Sequence, residues 1–172
     1  MMKKQFLILI FLLPCLSQAK GIYQQPTDFI SQAFSGQPPA PSVIWFKGPL
    51  RQKISNILQH KLKFLRLRYW YKNNRSVWVI NEIGKEKKIT IGVIVNNGKL
   101  EKVKTLIFRE SRGWEISEIF FTQQFINRTL TSDNQLDEQI DSITGATLSV
   151  RAVEKVSRIA LLLHHEITED KP

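Results

Sequence analysis

The sequence predicts an α+β protein in which an antiparallel β meander packs with helices and a long helix lies near the end of the chain. From Phe64 to Phe108, apolar and polar residues alternate with a period of two, which is typical of strands with one buried face. Asparagine and glycine residues interrupt this stretch where hairpin turns are expected. From Thr147 to His165 the apolar residues recur at helical spacing instead.

The N-terminal residues 1–19 have the features of a secretory signal peptide. Two lysines precede an apolar run at 6–13, and small residues at 17–19 form a cleavage site. The run is too short to span a bilayer. Cys15 allows a lipoprotein interpretation, but the proline before it is unusual in a lipobox. We therefore expect an ordinary signal peptide and an exported, periplasmic protein, which membrane association would not contradict.

Composition limits the chemistry of the exported chain. The formal net charge is +10, and removal of residues 1–19 takes away two lysines and the single cysteine, which leaves +8. A chain without cysteine has no disulfide, no thiol nucleophile and no thiolate ligand for zinc or haem attachment. The basic residues are spread along the sequence, and export argues against nucleic acid as a partner. A modest cluster is the exception, at Arg66, Arg68, Lys72 and Arg75.

Residues 20–63 are predicted to be an N-terminal helical segment with a proline-rich linker, ahead of a domain at 64–172. Pro26 begins a short capped helix that ends near Phe34. The linker follows at 36–41, and a second helix runs from Pro49 to about Lys61.

Four strands are predicted in the meander. Trp70 and Trp78 are assigned to the core, and turns are placed at 73–74 and 96–98. A short helix is expected after the last strand, at about 118–126. The predicted strands cover residues 64–71, 76–80, 89–95 and 100–108.

The last helix is the best-defined element. His164 and His165 fall in its predicted last turn, where the negative end of the helix dipole favours cations. No metal site is predicted there, because further ligands are not visible in the sequence. The expected buried stripe consists of Val150, Val153, Val156, Ile159, Ala160 and Leu163.

A run of small and hydroxyl residues leads into this helix. Gly145 and Ala146 stand between Thr144 and Thr147. Small residues allow a bulky group to approach the backbone closely. The Thr147 hydroxyl would lie in the first helical turn, where free N–H groups and the macrodipole favour an anion such as phosphate. The alternative is an ordinary loop whose threonine caps the helix.

The pattern Asp-x-x-Thr-Gly-Ala-Thr resembles the flavinylation signature of the FMN-binding domain family. That family includes the C subunit of the sodium-translocating NADH:quinone oxidoreductase and the G subunit of the Rnf complex. The resemblance implies that a Mg-dependent FAD:protein FMN transferase joins FMN to Thr147 through a phosphoester. It also implies that Asp141 is the upstream acid and that Gly145 and Ala146 are close-approach residues. Thr144 stands where the family often has serine.

The turn at 109–115 extends the resemblance. In the family the equivalent turn lies beside the flavin, and here Glu110 and Gly113 match that pattern, although the frequent Thr-Pro-Gly version is absent. An exposed turn held by ion pairs is the alternative interpretation. The candidate contacts to the flavin ring are Arg109, Arg112, Trp114 and Tyr69.

These observations predict an exported flavoprotein that works as an electron carrier rather than as a stand-alone enzyme. Its expected partners are the FMN transferase and a membrane or periplasmic redox protein. The alternative function is a non-redox envelope binding module that docks through a basic face. A hydrolase is not indicated, because the sequence has neither Gly-x-Ser-x-Gly nor His-Glu-x-x-His.

Overall fold

The computed structural model describes residues 21–169, so the predicted signal peptide lies outside the described part. It has the predicted α+β architecture, with one antiparallel sheet and helices on both faces. Two 3₁₀ turns, Trp114–Ser117 and Gln123–Phe125, flank the short third helix. In chain order the elements are α1 (Pro26–Ala33), β1 (Ser42–Trp45), α2 (Gly48–Leu58), β2 (Arg66–Lys72), β3 (Arg75–Ile83), β4 (Lys88–Asn96), β5 (Lys99–Ile107), α3 (Ile119–Thr122) and α4 (Thr147–Glu169).

The sheet is a meander of five strands in sequence order, and each strand pairs antiparallel with the next. The sequence predicted four of them, and that count was incomplete. The missed strand, β1, has four residues, which are too few to display a period-two pattern. It forms one edge of the sheet by pairing with β2.

Two hairpins turn on residues with positive φ, as predicted. Asn73 and Asn74 have φ values of 52° and 57°, and Asn97 and Gly98 have 50° and 75°. Positive φ at both central residues gives the backbone twist that matches paired strands. The β3–β4 connection is longer, and the Gly84 N–H closes it by donating to the Lys87 carbonyl at 3.1 Å.

The larger core lies between α4 and one face of the sheet. All six residues of the predicted α4 stripe are buried, and so is Trp78. Tyr69 stacks on Trp78 with ring centroids 5.0 Å apart, so its ring belongs to this core. The helix continues to Glu169, one turn beyond the predicted end.

A smaller core lies under α1 on the opposite face of the sheet. Phe29 packs over Gly92, where an added Cβ would lie 2.6 Å from the phenyl ring. Glycine at this position therefore makes room for an aromatic ring, and Trp70 packs half-buried beside it. The division into 20–63 and 64–172 stays a prediction; β1 pairs with β2, α1 contacts β3 and β4, and α2 contacts α4. No helix within residues 21–169 is long and apolar enough to cross a membrane.

His164 does not have the predicted role of a cation in the last turn. Its side chain is buried and belongs to a hydrogen-bonded network. The Gly98 N–H donates to Nε2 at 3.3 Å, so the neutral ring carries its proton on Nδ1, which lies 2.7 Å from Ser76 Oγ. The Trp78 indole N–H donates to the same oxygen at 2.8 Å. Burial, with His165 next to it, lowers the pKa of His164 to about 4.

We expect burial of His164 to make the folding stability decrease as the pH is lowered from about 6.5 to about 4. The unfolded chain binds a proton on His164 more tightly than the folded protein does. This contribution to the stability is therefore fully present above the unfolded pKa, and it is lost as the pH falls to the folded pKa. The loss should reach roughly 3 kcal/mol. Urea denaturation across this pH range would measure it. His164→Gln should flatten the slope, whereas the exposed control His165→Gln should not; equal slopes in both variants would contradict the assignment.

Candidate functional site

The motif residues form a tight turn that starts α4. The Ala146 N–H donates to the Ile143 carbonyl at 2.9 Å, and the Ala146 carbonyl accepts from the Val150 N–H at 3.0 Å. Ala146 is therefore the residue that caps the helix, and Thr147 is its first helical residue. Gly145 has a φ of 81°, which favours glycine, and no atom of the described chain lies within 4 Å of a Cβ added there.

The start of α4 offers free backbone donors. Within residues 21–169, the N–H groups of Thr147, Leu148 and Ser149 have no hydrogen-bond acceptor. The first turn contains no acidic residue that would offset the positive end of the helix dipole. Thr147 is exposed beside these donors, and it carries a hydroxyl. This arrangement fits a phosphate group attached at or bound beside that oxygen.

The turn after β5 lies against the start of α4. Gly113 has a φ of 86°, and a Cβ there would lie 3.0 Å from Ser149 Oγ and 3.3 Å from the Ala146 methyl group. Ala146 is correspondingly buried. Of the two predicted close-approach residues, Ala146 thus packs against the protein itself, whereas the space above Gly145 stays open.

A surface pocket of about 200 Å³ lies where this turn meets the motif. It brings together four residues singled out in the sequence from two distant segments: Arg112 and Gly113, and Thr144 and Gly145. Thr147 follows Gly145 by two residues, just outside the lining. The remaining lining residues are Ser111, Trp114 and Glu115.

Three side chains of the pocket lining have groups that suit a ligand. Glu115 Oε2 is buried and has no hydrogen-bond partner within residues 21–169. The Trp114 side chain is 51% exposed. Arg112 is exposed and forms no ion pair with another described residue. The pocket therefore combines a cation, an aromatic surface and an unpaired acceptor, which suit a planar, polar ring bearing N–H groups.

Glu115 was not assigned a role from the sequence. Its only signal there was its place at the end of the charged turn. It lies in the 3₁₀ turn Trp114–Ser117, which the sequence did not predict.

The side chains of Glu110 and Arg109 form hydrogen bonds with neighbouring strands and turns. Glu110 is buried, and its Oε1 accepts hydrogen bonds from the N–H groups of Lys85, Glu86 and Lys87 at 2.7, 2.7 and 2.8 Å. Burial raises the pKa of this carboxyl, but the three backbone donors outweigh it and hold the pKa below its usual value. Arg109 donates to the Lys88 carbonyl and to Thr90 Oγ1, both at 3.0 Å.

Asp141 is exposed and does not line the pocket. Its backbone N–H donates to Gln124 Oε1 at 2.8 Å, which fixes the chain that leads to the motif. No group of three or more metal-binding side chains occurs in the described part of the chain.

Comparison with protein families finds one match in this region. Residues 84–162 match the model of the FMN-binding domain. The matched range contains the whole pocket lining and Thr147. No curated protein and no solved structure matches the chain.

Proposed function

With an FMN-binding domain at residues 84–162 as the premise, we propose that this protein carries FMN on Thr147 and acts as an exported electron carrier. The observation that carries the proposal is an exposed threonine, Thr147, at the first residue of α4, beside free N–H donors and the pocket. FMN, when bound, accepts and donates one or two electrons.

Attachment by an FAD:protein FMN transferase requires a reachable hydroxyl. In this step the Thr147 oxygen forms a bond to the FMN phosphorus of FAD, the pyrophosphate bond breaks, AMP leaves and the hydroxyl proton is released. Exposure of Thr147 supports access by the transferase. The N–H groups and dipole at the α4 N-terminus would stabilise the remaining negative charge of the phosphodiester.

The pocket residues support binding of the ring. Glu115 would accept a hydrogen bond from the ring or its ribityl chain, and Trp114 would contact a planar surface. At about 200 Å³ the pocket is smaller than the roughly 300–1,000 Å³ typical of sites that enclose a ligand. A flavin held there would stay partly exposed, which suits a carrier that exchanges electrons by contact with a partner.

The test of the proposal is an intact-mass measurement after co-expression with the flavin transferase. We expect the mass of the polypeptide plus one FMN phosphoester, and flavin absorbance that remains after denaturation and gel filtration. Mixing with a membrane reductase or a periplasmic acceptor should then change the flavin absorbance. Cleavage after residue 19 and recovery from the periplasm would test export. A bare polypeptide mass would refute the proposed cofactor attachment.

We expect Arg112→Ala to lower the reduction potential of the bound flavin. A cation near the ring favours the anionic reduced form, and its loss at an exposed site should cost on the order of tens of millivolts. Spectroelectrochemical titration would measure the shift. Arg68→Ala, which removes the same charge from exposed β2, is the matched control and should leave the potential unchanged; an unchanged potential in Arg112→Ala would remove this residue from the proposal.

One observation favours the alternative function, a non-redox envelope module. Trp45 is 50% exposed, and the Arg66 guanidinium lies 5.2 Å from its ring centroid. Arg68 and Lys72 are exposed on the same strand as Arg66. Such a basic and aromatic face could dock on an anionic polymer or membrane complex. The mass measurement distinguishes the two functions, because the alternative needs no FMN.

A further inference from the structure

β2 and β3 pair over only part of their length. Their ladder runs from Lys72–Arg75 to Tyr69–Trp78 and then stops. Beyond it the N-terminal part of β2 pairs with β1, and residues 79–83 of β3 pair with β4 alone. The two strands separate and leave a cavity of about 760 Å³ between them.

The interior of this cavity is largely apolar, and both sheet faces contribute to it. Ile80 belongs to the larger core and Val79 to the smaller one. Phe64, Leu67 and Ile83 complete the apolar lining. The volume lies within the roughly 300–1,000 Å³ range of small-molecule sites.

Cations surround the apolar lining. The only acidic lining residue is Glu82, and its Oε1 already lies 3.0 Å from His60 Nε2. The basic lining residues are His60, Lys61, Lys63, Arg66, Lys88 and Lys155.

Among these basic residues only His60 has an acidic partner within residues 21–169. Lys155 donates to the Leu58 carbonyl at 2.7 Å, and Arg66 lies against Trp45. Lys61, Lys63 and Lys88 form no ion pair with any described residue. An apolar cavity with unpaired lysines is complementary to a molecule with a hydrocarbon body and one anionic end.

We propose that the cleft between β2 and β3 binds a monomeric amphipathic carboxylate, such as a fatty acid. The hydrocarbon body fills the apolar cavity, and the carboxylate lies among Lys61, Lys63 and Lys88. This site is separate from the proposed flavin site, because its lining shares no residue with the pocket beside Thr147.

Isothermal titration calorimetry with decanoate tests the proposal. We expect saturable binding by the purified protein, and binding of the neutral 1-decanol weaker by about tenfold. The triple variant Lys61→Gln/Lys63→Gln/Lys88→Gln should lose a similar factor for decanoate. The control Lys47→Gln/Lys53→Gln/Lys99→Gln removes the same charge from exposed positions elsewhere and should bind normally.

Val79→Phe, which fills the cavity, should abolish binding of both compounds in a protein whose circular dichroism is unchanged. Equal binding of decanol, equal effects of the two lysine triples, or no saturable binding would each overturn the proposal. So would binding to anionic vesicles, lost in the first triple, without binding of monomeric decanoate, since that result would identify a membrane surface as the ligand. Decanoate binding by the Thr147→Ala protein would separate this proposal from the flavin assignment.

Discussion

Thr147→Ala should remove covalent FMN completely while leaving the fold intact. The hydroxyl is the part of the side chain that attachment needs, and alanine removes it. Thr147 is exposed, and alanine favours helix at least as well, so the stability should change by no more than about 0.5 kcal/mol. The effect on flavin is therefore all-or-none, and the effect on folding is close to zero.

Intact mass and in-gel flavin fluorescence after co-expression with the transferase would measure this result. Thr147→Ser is the matched control, because it keeps the hydroxyl and should keep the flavin. Thr144→Ala probes the other hydroxyl of the motif, which lies before the helix and lines the pocket. Covalent flavin that persists in Thr147→Ala and disappears in Thr144→Ala would move the attachment to residue 144.

The elements with strong local signals were predictable from the sequence. The apolar stripe of α4 spans about four turns, and Asn73–Asn74 and Asn97–Gly98 form the two-residue hairpin turns with positive φ. β1 lacks such a signal, because its four residues depend on pairing with β2, more than 20 positions away. The end of α4 was predicted at His165 instead of Glu169 because the residues 166–169 are mostly polar in sequence.

The site was predictable as two segments but not as a set of side chains. The motif and the turn after β5 do meet, and Arg112, Gly113, Thr144 and Gly145 line one pocket. Two acidic residues of one turn can nevertheless lie against different parts of the structure. Glu110 accepts from the β3–β4 connection, whereas half-buried Glu115 lines the pocket and its Oε2 has no hydrogen-bond partner within residues 21–169.

Separation of β2 from β3 was also invisible in the sequence. The alternation of residues 64–71 is compatible with full pairing to β3. Instead the pairing with β3 ends after four pairs at Tyr69, while residues 66–68 pair with β1 alone. The cavity lies where this pairing ends, which is a tertiary feature that a local pattern does not record.

Glu110→Ala should destabilise the protein by about 3 kcal/mol or more. One buried carboxylate oxygen accepts from three consecutive N–H groups, and hydrogen bonds to a charged group are worth roughly 1.5–3 kcal/mol each, reduced here by access of water to the exposed turn. The free energy of unfolding of a folded domain is only about 5–15 kcal/mol, so the loss should be visible as a lower urea midpoint.

The direction of the Glu110 pKa predicts how this loss depends on pH. Because the folded pKa is below the ordinary 4.5, the carboxylate stabilises the protein fully above that value and progressively less as pH falls through the folded pKa. The difference between wild type and Glu110→Ala should therefore shrink in acid. Glu86→Ala is the matched control: its side chain is exposed on the same turn and lies 4.0 Å from Lys85, so its removal should change little.

Flavin loading of the Glu110→Ala protein distinguishes a framework role from a ligand role. Glu110 holds the β3–β4 turn and directly precedes the pocket residues Ser111 and Arg112, so it can influence the site only through the backbone. Loading that is normal below the unfolding temperature would identify the carboxylate as framework. The opposite outcome is a reduction potential shifted as much as in Arg112→Ala, together with an unchanged urea midpoint. It would mean that the carboxylate acts on the flavin and that the three hydrogen bonds contribute little to folding.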